Sequence, residues 1–135
     1  MDKIIAYTDG SAIDNGSSDS KCGWACKLIY KGKSVIKSGK AHGKTNNQME
    51  MYAVYQAMRS IHNKTIPVEI ISDSQYVIKT LNKQFNVGAN ADMWEYLFKE
   101  AEKFSDITFS WIKGHAGDRN NEEVDELSFK EASEC

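Results

Sequence analysis

Four acidic residues, widely separated along the chain, stand where carboxylates could do chemistry: Asp9, Glu50, Asp73 and Asp125. Asp9 closes the apolar run Ile4-Ile5-Ala6-Tyr7 in the string AYTDGS, and Asp73 closes Val68-Glu69-Ile70-Ile71. For a lone Asp-Gly the ordinary reading is a turn, the acid bonding its own backbone and the glycine supplying positive φ. The other two acids argue against treating each one singly. On a helical wheel Glu50 falls in line with Val54, Ala57 and Ile61, and Asp125 in line with Asn121, Phe129 and Ala132, so all four acids are expected to look inward. A buried carboxylate must be paired, protonated or bound to a cation. No lysine or arginine adjoins Asp9 or Asp73 in sequence, and crowded like charges raise one another's pKa. An all-oxygen donor set suits Mg²⁺ or Mn²⁺. So many acids suit two ions about 3.5–4 Å apart that clamp a phosphoryl group.

The elements that would position these acids follow from hydrophobic period and turn signals. Strands are expected over 4–9, 23–30 and 33–37, the last two joined at Lys31-Gly32 in a hairpin. Apolar residues then recur three and four apart from Asn47 to Ile61, a helix that Thr45-Asn46-Asn47 can cap. A strand follows Pro67, a helix runs from Ser74 to Phe85, and Met93, Trp94, Leu97, Phe98, Ala101 and Phe104 form the stripe of another. Residues 107–112 alternate as a strand, and a last helix starts near Asn121. The order βββαβααβα places a helical crossover between the strands ending at Asp9 and Asp73. They should therefore be parallel neighbours with a common carboxyl edge, where open α/β sheets bind ligands.

Composition bounds what such a site could belong to. The chain has 135 residues, 41% of them hydrophobic, enough for one domain, 1–135, with one core. It contains one proline and no repeat or low-complexity tract that would mark a linker. Neither a secretory leader nor an apolar run of about 20 residues is present, so the expected compartment is the cytoplasm. Cys22, Cys26 and Cys135 have no metal-like or redox spacing and are expected to be free thiols. A net charge of −2 excludes a strongly cationic coat, though not a local basic groove.

Read together, Tyr7-Thr8-Asp9-Gly10-Ser11, Thr45-Asn46-Asn47-Gln48-Met49-Glu50, Asp73-Ser74-Gln75-Tyr76-Val77 and Gly114-His115-Ala116-Gly117, followed by Asn121-Glu122 and Asp125-Glu126-Leu127, closely resemble type 1 ribonuclease H. Each string is weak alone; four in order over nearly the whole chain are specific. The resemblance implies an α/β ribonuclease H-like fold with a five-stranded mixed sheet, its second strand antiparallel, and helices on both faces. It implies a metal-dependent endoribonuclease that cleaves the RNA strand of RNA/DNA hybrids, leaving 5'-phosphate and 3'-hydroxyl ends. Asp9, Glu50, Asp73 and Asp125 would be the metal-binding tetrad for two Mg²⁺ ions, with Mn²⁺ as a substitute. His115 would serve proton transfer or product departure, and Glu122 matches a family residue near the metals. Asn15, Asn46 and Asn47 match positions that read the minor groove, Thr45 one that holds a DNA phosphate, and Gln75 one near the RNA sugar. A monomer is expected by default.

The sequence also departs from the pattern. Many type 1 members insert a basic helix and loop after the third acid, whereas residues 78–92 here offer only Lys79 and Lys83. Gln48 stands where an arginine is common. Two alternatives remain at this level: another metal-dependent nuclease of the ribonuclease H-like superfamily, and a hybrid-binding module without catalysis, the second disfavoured because all four acids are present.

Overall fold

A computed structural model describes residues 2–15 and 17–135. Its elements run β1 (Ile4–Ile13), β2 (Lys21–Tyr30), β3 (Lys33–His42), α1 (Asn46–Ser60), β4 (Val68–Ser72), α2 (Gln75–Leu81), α3 (Ala91–Ala101), β5 (Ile107–Trp111) and α4 (Arg119–Ser133). The five strands form one sheet in the order β3-β2-β1-β4-β5. β1–β2 and β2–β3 pair antiparallel; β1–β4 and β4–β5 pair parallel. The expected mixed sheet is therefore present, with an antiparallel second strand.

Strand geometry sends successive side chains of β1 to opposite faces. Gly10 meets the backbone of α1, and Ser11 meets the side chain of Ser128 on α4, so the two long helices cover opposite faces of the sheet. The main hydrophobic core lies on the α1 side, where Met51, Val54, Ala57 and Met58 of α1 pack with Ala6, Ile70, Val77, Trp94 and Leu97. Burying the valine, isoleucine, leucine and methionine side chains among them contributes roughly 1.5–3 kcal/mol each, against the chain entropy of ordering the elements. Trp94 is fully enclosed and its indole N–H donates to the Tyr76 hydroxyl at 3.0 Å.

The helix starts are chemically determined. Thr45 caps α1 in a reciprocal box, its Oγ1 accepting from Gln48 N at 3.1 Å while Gln48 Oε1 accepts from Thr45 N at 2.9 Å. Ser74 caps α2 and Asp118 caps α4 in the same manner through single bonds. Lys31 and Gly32 both have positive φ, 50° and 76°, as the tight β2–β3 hairpin requires.

Several expected boundaries differ from those observed. β1 does not end at Asp9; pairing with β4 stops at Tyr7, but pairing with β2 continues to Ile13. Gly10 accordingly lies within a strand and is not among the positive-φ glycines. β3 runs five residues beyond Lys37 because β2 pairs with it along its whole length. α2 ends at Leu81 rather than Phe85, since Lys83 takes a left-handed conformation with φ 61°. α4 begins at Arg119, two residues early. Its buried line is Asn121, Val124, Ser128 and Ala132, while Phe129 is 57% exposed. The observed stripe is rotated away from the expected line through Asp125 and Phe129, because the sheet-facing side is set by where α4 docks, which local spacing does not show.

Candidate active site

Asp9 lies on β1 two residues past Tyr7, the last residue paired with β4, in the stretch where β1 pairs with β2 alone. Asp73 follows the last residue of β4, and Glu50 lies in the first turns of α1. One carboxylate oxygen from each of the three falls within 4.8 Å of the other two. Three local features make this approach possible. A Cβ on Gly10 would stand 2.2 Å from the Met49 carbonyl carbon, so only glycine lets α1 come this close to β1. The Gly10 N–H then donates to Glu50 Oε1 at 2.6 Å. A Cβ on Gly114 would meet Asp73 Oδ2 at 2.9 Å, so this glycine leaves the carboxylate its room.

Asp125, the fourth expected acid, stands at the margin on α4 and is outside the three-carboxylate group. Its side chain is about one-third exposed, and Oδ2 lies 3.9 Å from His115 Nε2. His115 sits on the 114–117 turn with φ 55° and a largely exposed ring. The structure thus brings Asp9, Glu50 and Asp73 together and places Asp125 with His115 beside them.

Electrostatics single out the cluster. Asp9 is 3% exposed; burial, reinforced by the nearby Asp73 and Asp125 charges, pushes its pKa up to about 8 against the pull of a Ser128 hydrogen bond. Burial and the Asp9 and Asp73 charges push Glu50 well above the ordinary carboxylate range, opposed by the Gly10 N–H. Glu100, equally buried at 6% exposure, has Lys103 and Lys64 at 3.3 and 3.6 Å. Among the described residues no lysine or arginine forms an ion pair with Asp9, Glu50 or Asp73. Uncompensated carboxylate oxygens at this spacing are the donor set of a hard divalent cation, so the residues present fit such a metal.

Of the expected substrate-contacting residues, Asn15, Thr45 and Asn46 are held together where the β1–β2 loop meets the start of α1. Asn46 N donates to Asn15 Oδ1 at 2.6 Å, and Ala12 N donates to Asn46 Oδ1 at 2.7 Å, tying the β1–β2 loop to the start of α1. Asn15, Asn46, Asn47 and Gln75 are exposed, and Thr45 is half-buried at the cap. Gln48, at the position often held by arginine, completes the capping box and donates from Nε2 to Asn90 Oδ1 at 3.1 Å. Sequence reasoning missed Ser11 and Ser128, whose hydroxyls connect to Asp9; a serine inside a helix carries no local mark of a partner 119 residues away.

A family model described as RNase H matches residues 1–133. The chain belongs to the RNase H family. Ribonuclease H of Chromobacterium violaceum is 34% identical over 142 residues, covering 96% of this chain and 94% of that protein. The N-terminal RNase H domain of a Mycobacterium tuberculosis protein, solved as a fusion with maltose-binding protein, superposes with TM-score 0.86 at 14% identity, covering 99% of this chain and 96% of that one. LC11-RNase H1, solved in complex with an RNA/DNA hybrid, gives TM-score 0.79 at 21% identity, with 98% of each chain covered. The sequence resemblance to type 1 ribonuclease H and the RNase H fold agree with these matches, and as a ribonuclease H the chain is a hydrolase. No helix among the described residues is long and apolar enough to cross a membrane.

Proposed function

We propose that this ribonuclease H cleaves the RNA strand of RNA/DNA hybrids endonucleolytically at the Asp9–Glu50–Asp73–Asp125 site, with two divalent cations, Mg²⁺ or Mn²⁺. The observation that carries the reading is the convergence of three carboxylates within 4.8 Å without a basic partner. When bound, the cations supply an attacking water of lowered pKa and positive charge facing the phosphoryl transition state. Asp9 and Asp73, from neighbouring strand ends, and Glu50, fixed by the Gly10 N–H, would hold them, with Asp125 completing the set from α4. The clustered carboxylates repel one another and would repel the scissile phosphate, so the phosphate is accepted only when they hold the cations. His115, exposed on its turn with Nε2 3.9 Å from Asp125 Oδ2, carries a proton at Nε2 to the departing 3' oxygen. The products would bear 5'-phosphate and 3'-hydroxyl ends.

Hybrid recognition rests on exposed polar residues. Asn15 and Asn46 spend their carbonyl oxygens on backbone N–H groups, which aims their amide N–H₂ donors outward. With Asn47 and Gln75 they present donors and acceptors to the 2'-hydroxyls that RNA alone displays across a shallow minor groove. Thr45 Oγ1 accepts from the helix and retains its proton for a DNA phosphate oxygen.

The test compares end-labelled RNA/DNA hybrid, double-stranded DNA and double-stranded RNA in Mg²⁺ and in EDTA, with Asp9→Asn as the blank. Metal-dependent cutting of the hybrid RNA with 3'-hydroxyl ends is expected. Preferential cutting of duplex DNA, or hybrid retention without cleavage, would overturn the assignment.

A further inference from the structure

The Ser128 hydroxyl joins α4 to β1 beside the acid cluster. Fully buried on the sheet-facing line of α4, it donates to Asp9 Oδ2 at 2.6 Å. Ser11 Oγ lies 2.9 Å from it, and the Asp125 backbone carbonyl, three residues back along its helix, lies at 3.0 Å. A hydroxyl has one proton and two lone pairs. The shorter of its two acceptor contacts, 2.6 Å to Asp9 against 3.0 Å to the Asp125 carbonyl, assigns the Ser128 proton to Asp9, with Ser11 donating to Ser128 Oγ.

The backbone is shaped to bring this about. Ser11 is two residues beyond Asp9 and so shares its face of β1. Its cross-strand neighbour is Gly23, where a Cβ would stand 2.1 Å from the Ser128 carbonyl oxygen. Without a side chain at Gly23, α4 settles directly on the sheet and its Ser128 turn reaches the Asp9 carboxylate. The same turn carries Asp125, so a single hydroxyl bridges the strand bearing one acid and the helix segment bearing another.

We propose that Ser128, supported by Ser11, is a positioning residue for cation binding: it fixes the rotamer of Asp9, commits Oδ2 to a protein donor and leaves Oδ1 for the metal, while it registers the Asp125 turn of α4 against β1. The inference rests on the reading of Asp9 as a metal ligand. Partners that orient a metal ligand typically change metal affinity by about 10–100-fold when removed.

The experiment is isothermal titration of the protein with Mn²⁺ alone, together with the Mg²⁺ dependence of hybrid cleavage, for wild type, Ser128→Ala, Ser11→Ala and Asp9→Asn. Ser128→Ala is expected to weaken Mn²⁺ binding about tenfold and raise the half-saturating Mg²⁺ by a similar factor, with KM for the hybrid at saturating Mg²⁺ unchanged. Ser11→Ala, which spares both the Ser128 proton and its acceptor, should move both in the same direction by a smaller factor. It also supplies the answer if the Ser128 variant does not fold. Wild-type metal titrations in a folded Ser128→Ala, or in Ser11→Ala should the former not fold, would overturn the proposal while Asp9→Asn remains inactive. Retained cleavage in Asp9→Asn would instead overturn the underlying metal assignment.

Discussion

Removing one charge from the acid cluster should make the metal-free protein more stable, and the gain should depend on pH in a defined direction. Unfolded Asp9 titrates near 3.8, whereas burial and its acidic neighbours move the folded group to about 8. Between these values folding takes up a proton, so stability is fully present below about pH 4 and is withdrawn as the pH rises towards 8. At ~1.4 kcal/mol per pH unit, holding Asp9 neutral at pH 7 costs about 4 kcal/mol. Asp9→Asn is neutral at every pH, and the Ser128 hydroxyl can still donate to the amide oxygen. Allowing for some loss of fit, the variant should exceed wild type in EDTA by about 3 kcal/mol at pH 7, on the order of 10 °C in Tm. The difference should vanish near pH 4. Excess divalent cation should close or reverse it, because a ligand that binds only the folded wild type stabilises it by mass action. Thermal unfolding followed by circular dichroism from pH 4 to 8, in EDTA and in Mg²⁺, reads all of this. Parallel stability profiles for the two proteins in EDTA, or a less stable variant at pH 7, would refute the reasoning.

Gly10→Ala places a methyl 2.2 Å from the α1 backbone and should destabilise by about 3 kcal/mol, with activity lost as Glu50 is pushed from Gly10 N; chemical denaturation and a hybrid assay check both. His115→Ala should lower kcat on the order of 100-fold with little change in Tm, since the ring is 79% exposed. Thr45→Val removes the cap acceptor and the phosphate donor together, costing about 1 kcal/mol of stability and raising KM for the hybrid. The only basic residues of 78–92 are Lys79, on α2 with its ammonium 5.5 Å from the centre of the Phe85 ring, and Lys83, so the segment offers few phosphate contacts. Hybrid affinity should therefore fall only shallowly with salt; a log–log slope near −0.9 times six contacts would contradict that.

The acids, the cap of α1 and the whole element order were legible in the sequence because each is a local matter. The polar stretch Thr45-Asn46-Asn47 marks the start of α1, where Thr45 is the cap, and the alternation or three-four spacing of apolar residues declares strand or helix. Asp9, Glu50 and Asp73 could be grouped because a βαβ crossover has one hand and brings two strand ends together. Tertiary structure alone decided the rest. Asp9 proved to lie within a strand, since β2 continues to pair where β4 stops. Gly10, which looks like a turn glycine, is instead a contact glycine against Met49. The facing of α4, the exposure of Phe129 and the Ser11–Ser128–Asp9 connection depend on how deeply one helix sits on the sheet. That depth is set by Gly23, about a hundred residues from the serine it admits, and such a contact leaves no periodic or compositional trace at either end.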